Sequence, residues 1–221
     1  MSDELILLQF WSSPYAARVK IALFEKGLQY ESKHEDVVNA KSSLLCEMNP
    51  IYKKVPVLIH NEKPICESLV IVEYIDQVWK HKSPTLLPVD PYDKAQARFW
   101  ADYNDKTFFN CIRKIWRQKG EIEEEEKNEF INSLKLLEGE LGDKPYFGGD
   151  TFGLLDIALI PNYSWFYTYQ TCTKLSIEDE CPKLSAWAQR CIERNSVKES
   201  LPNEFEIYKY ALELKKKFGN D

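Results

Sequence analysis

The sequence has six cysteines, at 46, 66, 111, 172, 181 and 191, yet it lacks any C-x-x-C pair. Its three histidines, at 34, 60 and 81, are scattered. Neither a disulfide framework nor a metal site is therefore expected, and the thiols are read as free, buried or half-buried groups. No apolar run approaches membrane-spanning length, and Met1-Ser2-Asp3-Glu4 is acidic where a targeting segment would be basic. Positive charge is in deficit as well. Lys and Arg number 29 against 35 Asp and Glu, a net charge of −6, which argues against nucleic acid or a membrane surface as the main partner. The tail matches no simple retention or peroxisomal signal, so a cytoplasmic location is expected. No internal repeat is evident.

What is present is an ample core, with 44% hydrophobic residues in 221, and a clear division of pattern along the chain. Leu5-Ile6-Leu7-Leu8 with Phe10 reads as a buried strand. Ser13-Pro14 then opens a helix that runs from Pro14 to Lys26, with Pro in the first turn and Ser13 as N-cap. A second strand is predicted over 28–33, a short helix over 44–48, a third strand over 54–60, a turn at Asn61-Glu62-Lys63 and an edge strand at 64–66. Glu67-Ser68 opens a broad apolar helix that reaches Trp79. The order βαβαββα predicts an α/β sheet of thioredoxin-like type with helices on both sides.

Residues 81–92 carry Pro84, Pro88 and Pro91 and read as a linker, which places an α/β domain at 1–80 and a second domain at 93–221. The second domain lacks strand alternation and is expected to be all-helical. Helical patterns cover 93–119, ended by Gly120, then a stretch to Leu141 whose first turn is the acidic run 123–126, then 183–195 and 204–217. Gly153 with Asp156 has the form of a capping-box start.

The junction at Ser13 admits two readings. A hydroxyl there faces the unpaired N–H groups and positive end of a helix, a setting that holds an anion or stabilises a thiolate; equally, it is an ordinary cap. Ser13-Pro14-Tyr15-Ala16 has the outline of a redox Cys-x-x-Cys turn without its sulfurs. Any reactive thiol at this place must arrive on a ligand.

The chain resembles the cytosolic glutathione transferases, the plant tau class in particular. The likeness rests on Phe-Trp-x-Ser-Pro-Tyr, Glu-Met-Asn-Pro, Lys-Lys-Val-Pro-Val-Leu-Ile-His-Asn, Pro-Ile-Cys-Glu-Ser, Ala-Arg-Phe-Trp-Ala-Asp-Tyr, Tyr-Phe-Gly-Gly-Asp and Glu-Cys-Pro, in that order over essentially the whole chain. It implies that 1–80 is a glutathione-binding domain and that 93–221 contributes a site for the second substrate. Ser13 resembles the catalytic serine, since it immediately precedes the Pro of the motif, although Ser12 stands where the family more often has Pro. Glutathione would also be held by Lys41 and Lys54 at the glycyl carboxylate, by the Val55 backbone beside a cis proline, and by Glu67 and Ser68 at the γ-glutamyl end. The hydrophobic wall would comprise Phe109, Arg113 and Trp116, spaced i, i+4, i+7, with Trp165, Tyr210, Phe10, Pro14 and Tyr15.

The implied activity is attack of the glutathione thiolate on hydrophobic electrophiles, with peroxide reduction as a side activity. The alternative is a non-catalytic carrier of hydrophobic metabolites. A thiol-based redox enzyme is disfavoured by Ser at position 13. No cofactor is expected beyond glutathione as co-substrate, and no metal. The resemblance further implies a homodimer in which the helix carrying Glu73 meets the partner helix carrying Arg98.

Overall fold

A computed structural model of the chain describes residues 4–117 and 120–218, with backbone alone at Trp116, Arg117 and Phe218. It divides into two compact units, one ending at Leu87 and the other beginning at Pro88. The first contains β1 (Leu5–Gln9), α1 (Pro14–Glu25), β2 (Glu31–His34), α2 (Ser43–Met48), β3 (Val57–His60), β4 (Lys63–Cys66) and α3 (Ser68–Val78). The predicted βαβαββα order is the observed one.

The four strands form one sheet in the order β2-β1-β3-β4, with β1 parallel to β2 and antiparallel to β3, and β3 antiparallel to β4. All four residues of β3 are buried, as is expected for a central strand covered on both faces. Edge strand β2 is mostly exposed. On one face, Leu8, Leu45, Val57 and Ile59 form a core with Leu44 and Met48 of α2. On the other, α1 packs against α3. There Lys26 lies 2.7 Å from the Asp76 carboxylate and donates to the Lys82 carbonyl at 2.9 Å, while the Leu86 and Leu87 N–H groups also donate to Asp76. This fully paired buried ion pair ties α1, α3 and the segment after α3 together.

Two strand boundaries differ from the sequence reading. Leu28 does not start β2, because its N–H donates to Leu23 O and that of Gly27 (φ +59) to Phe24 O, so the residue is used to close α1. Lys54 does not start β3, because its carbonyl accepts from the Asn49 side chain instead of a neighbouring strand. The β3–β4 turn is shorter than expected. Asn61 and Glu62, at φ 48 and 66, make a two-residue turn and Lys63 already pairs with His60.

The regular elements of the second unit are all helical among the described residues. It comprises α4 (Pro91–Tyr103), a π-helical segment (Asn104–Phe108), α5 (Phe109–Arg117), α6 (Glu124–Leu141), α7 (Leu154–Leu159), a 3-10 turn (Ile160–Asn162), α8 (Tyr163–Thr173), α9 (Ile177–Glu180), α10 (Pro182–Ile192), α11 (Asn195–Lys198) and α12 (Glu204–Phe218). The pattern predicted as one helix over 93–119 is thus broken by a π segment, and its last two residues lie outside those described. Its start is earlier, since Asp90 caps the Tyr92 and Asp93 N–H groups at 2.8 and 3.0 Å and Pro91 takes the first turn. Helix α8, rich in aromatic and β-branched residues, shows little periodicity in sequence. Its partner is α12, where the Tyr167 ring meets Phe205 at 5.0 Å and Tyr208 at 5.3 Å.

The capping arrangement at Gly153 forms as predicted, with the Gly153 N–H donating to Asp156 Oδ2 at 3.0 Å. The other carboxylate oxygen accepts from the Phe147 N–H at 3.0 Å and Trp187 Nε1 at 2.8 Å. Asp156 therefore joins α7, α10 and the loop before α7. Among the described residues, no helix is long and apolar enough to cross a membrane.

Candidate functional site

Strand β1 ends in a tight turn, closed by the Ser13 N–H on the Phe10 carbonyl at 3.0 Å. Ser13 has extended backbone and caps α1, its Oγ accepting from the Ala16 N–H at 3.2 Å. A hydroxyl accepts and donates at once, so this bond leaves the Ser13 proton for a ligand. The side chain is half-buried. Neighbouring Ser12, at 5% exposure, is sunk in the unit. The accessible hydroxyl of the pair is that of Ser13.

Sheet register brings the other first-unit candidates to the same edge. Leu8 pairs with Val57 and Val57 with Cys66, so the end of β1, the start of β3 and the end of β4 lie abreast. Beyond them come, respectively, Phe10 to Ser13, the cis Val55–Pro56 bond, and Glu67 with Ser68. Glu67 is exposed and held at φ 70, ψ 119, a conformation that a non-glycine residue adopts only when its surroundings enforce it. Ser68 is buried, and its Oγ accepts from Arg18 Nη1 at 3.1 Å.

Arg18 is itself 1% exposed and lies over the Tyr15 ring at 5.0 Å, so a guanidinium stands under the N-terminus of α3. Sequence reasoning did not assign it a role. The signal was its place in the apolar run Ala16-Ala17-Arg18-Val19, all four of which are buried.

Lys41 and Lys54 are exposed, each on a loop organised by a buried polar residue. Glu35 accepts from the Ser42 N–H at 3.2 Å and Oγ at 2.7 Å, which fixes the turn after Lys41; Ser42 in turn caps α2. Asn49 accepts from the Tyr52 N–H and donates to the Lys54 carbonyl, shaping the approach to Val55. In the sequence Asn49 reads only as a helix breaker. Of the remaining first-unit candidates, Phe10 is buried beside Trp11 and His34, and Pro14 and Tyr15 are half-buried.

Within the second unit, Phe109 is buried beside Phe108, and Trp165 stacks on Tyr169 at 6.2 Å. Phe108 and Tyr169 meet each other and Phe130, so Phe109 and Trp165 join one aromatic cluster. Arg113 is exposed, its Nη1 3.5 Å from Asn110 Oδ1, and is no core residue. Tyr210 is half-buried on α12. The Trp116 side chain lies outside those described.

The N-terminal domain model of the glutathione S-transferases matches residues 3–77, and their C-terminal domain model matches 121–190. The chain is 58% identical to a probable glutathione S-transferase, parC, of Nicotiana tabacum, over 99% of this chain and 98% of that one. It is 56% identical to glutathione S-transferase U25 of Arabidopsis thaliana over the same shares. The chain belongs to the glutathione S-transferase family. Among solved structures, rice GST1 in complex with glutathione superposes with a TM-score of 0.94 at 42% identity, covering 99% of each chain. A tau-class glutathione S-transferase from mango, Mangifera indica, gives 0.88 at 39%, covering 96% of this chain and 98% of that one. This glutathione S-transferase is thus of the plant tau type, and glutathione conjugation is its general chemistry.

Five of the transferase's six thiols are held in the protonated form, which makes them poor nucleophiles. All six cysteines are free, and burial pushes the thiols of Cys66, Cys111, Cys172, Cys181 and Cys191 up, that of Cys181 to about 12. At Cys66 the adjacent Glu67 carboxylate adds to the effect. A reactive thiolate needs the opposite shift. Among the described residues, no group of His, Cys, Asp or Glu could hold a metal ion.

Proposed function

We propose that this transferase binds glutathione at the Ser13 edge of its first unit, stabilises the thiolate there and directs it at hydrophobic electrophiles. The observation that carries the reading is the Ser13 hydroxyl, half-exposed at the N-terminus of α1 with its proton left for a ligand. A free thiol titrates near pH 8.5, and ionising most of it at pH 7 needs a shift of about 2 units, or about 2.7 kcal/mol. A helix N-terminus supplies about 0.3–2 kcal/mol and a hydrogen bond to a charged group about 1.5–3 kcal/mol, so the two together suffice without a histidine base. The proton leaves to solvent, sulfur forms its bond to the electrophilic carbon, and the leaving group departs with the electron pair. With a hydroperoxide the same thiolate would attack the terminal oxygen, break the O–O bond and release the alkoxide. A second glutathione would convert the resulting sulfenic acid to glutathione disulfide and water, which gives the side activity.

Lys41 and Lys54 would hold the glycyl carboxylate, the Val55 backbone would pair with the peptide, and Ser68 and Glu67 would take the γ-glutamyl carboxylate and amine. The complex of rice GST1 with glutathione supports this ligand. In this reading residues 1–80 bind glutathione, 81–92 link, and 93–221 supply the hydrophobic wall of Phe109, Arg113, Trp116, Trp165 and Tyr210, with Phe10, Pro14 and Tyr15. The aromatic cluster around Phe109 and Trp165 would serve a carrier of apolar metabolites equally well. Thiolate absorbance against pH with glutathione present separates the two. A transferase shows a midpoint well below that of free glutathione, whereas a carrier leaves it unchanged.

Glu67→Ala and Lys54→Ala are each expected to raise KM for glutathione about five-fold with little change in kcat, because they anchor groups whose charge is constant through the reaction. Steady-state kinetics with glutathione varied checks this, and unchanged KM in both variants rejects the assigned anchors.

We also infer a cytoplasmic homodimer. Six free thiols suit a reducing compartment. Val70 on α3, three residues before Glu73, is 55% exposed, and Phe99 on α4, next to Arg98, is 59% exposed, so each of the two helices offers an apolar side chain that a partner chain would cover. Light scattering at micromolar concentration should give twice the mass of the 25.9 kDa chain. A single monomer mass refutes the dimer.

A further inference from the structure

The break in the long helix between Tyr103 and Phe109 is a run of five π-helical residues, Asn104–Phe108. At its end the Phe109 N–H donates to the Asn104 carbonyl, five residues back. An extra residue in a helical turn rotates all that follows by about 100° around the axis, so this segment decides which way the α5 stripe of Phe109 and Arg113 faces. A π turn is less favourable than an α turn and persists where tertiary contacts hold it.

A buried amide pair is placed at the start of this segment. Asn162 Nδ2 donates to Asn104 Oδ1 at 2.9 Å, with Asn104 fully buried and Asn162 nearly so. The Asn104 amide is oriented independently, since its Nδ2 donates to Asp105 Oδ1 at 3.0 Å and its oxygen must then face Asn162. Asn162 closes the 3-10 turn directly before α8, three residues ahead of Trp165. One residue thus bonds Phe109 through its backbone and the root of α8 through its side chain.

We infer that Asn104 and Asn162 are positioning residues for the electrophile site: their bond sets the register between the helix that carries Phe109 and Arg113 and the helix that carries Trp165. This rests on the reading above that those three residues line the hydrophobic wall. Neither asparagine touches substrate. Their effect is on selectivity, because the pair fixes the spacing of the walls between which different electrophiles must fit.

The test is steady-state kinetics on the full chain with chlorodinitrobenzene and with benzyl isothiocyanate, each varied, and with glutathione varied. Asn162→Ala is expected to raise KM for the electrophiles about five-fold, unequally, so that the ratio of the two kcat/KM values shifts while KM for glutathione stays within about two-fold. A merely structural role would lower thermal stability and the active fraction but leave the KM values and the ratio unchanged, and that result overturns the inference.

The double variant Asn104→Leu, Asn162→Leu guards against loss of folding. It removes the bond but leaves no buried amide unpaired, so it should keep near-parental stability and still shift the ratio. A stable double variant with parental selectivity also overturns the inference. Phe109→Ala and Trp165→Ala are run beside them. If these leave electrophile KM unchanged, the wall itself is misassigned and the positioning role falls with it; if they change it and the asparagine variants do not, only the positioning role fails.

Discussion

Ser13→Ala is expected to lower kcat/KM for conjugation about ten- to a hundred-fold while leaving glutathione affinity within a few-fold. The hydroxyl acts on sulfur, whose charge it stabilises by about 1.5–3 kcal/mol, and touches neither carboxylate of the tripeptide. The midpoint of thiolate absorbance should rise in the same variant by about 1–2 units, which ties the loss of rate to loss of the anion. Because Ser13 also caps α1 through the Ala16 N–H, alanine should cost about 1 kcal/mol of stability as well. Ser13→Gly separates these effects, since glycine is tolerated at a cap within a few tenths of a kcal/mol but brings no hydroxyl. Both variants should lose activity equally and only alanine should lose much stability. Ser12→Ala, at a buried position, should change conjugation little. Equal losses in the Ser12 and Ser13 variants, or a loss in Ser12→Ala alone, would show that the wrong hydroxyl has been assigned.

Asp156→Ala is expected to destabilise the second unit by about 4 kcal/mol or more, a loss in the exceptional range for one substitution. It strands three donors at once, the buried Phe147 N–H and Trp187 Nε1 and the half-buried Gly153 N–H, and it removes the acid that starts α7. Urea unfolding followed by tryptophan fluorescence measures it, and a loss below about 1 kcal/mol would mean that water or backbone shifts satisfy the three donors.

The same residue has a pH signature. Burial pushes its carboxyl above the ordinary 3.8, against the pull of the three hydrogen bonds. A raised native value means that the folded state holds the proton more tightly than the unfolded chain. The stability that this supplies is complete at pH below 3.8 and is lost as pH rises through the native value. Asp156→Asn, which cannot titrate, should flatten that part of the curve of stability against pH. An unchanged slope would place the pH dependence in other groups.

How far the chain could be read from its residues varies by position. The Ser13 cap was legible because it depends on neighbours within four residues: an extended residue, a proline in the first helical turn and an apolar periodicity after it. The Gly153–Asp156 start was legible for the same reason, but the two further donors on Asp156 come from 9 and 31 residues away and left no trace in the local pattern. Boundaries failed where a residue that looked like a strand start was engaged elsewhere, Leu28 in closing α1 and Lys54 in bonding Asn49. Arg18 was missed for a related reason. A cation in a helix reads as surface, and only the packing of α1 on α3 turns this one inward to Ser68, 50 residues on.

By itself the sequence determined the element order, the two-part division into an α/β and a helical region, and the hydroxyl at the first helix end. These follow from periodicity, from proline and glycine placement and from capping, all of which act over a few residues. Only the tertiary structure decided which hydroxyl of the Ser12–Ser13 pair is accessible and which residues share the sheet edge with it. It also decided where the long helix of the second unit changes pitch. Those outcomes depend on burial, strand register and buried polar pairs such as Asn104 with Asn162, whose partners lie 58 residues apart and meet only when the chain has packed.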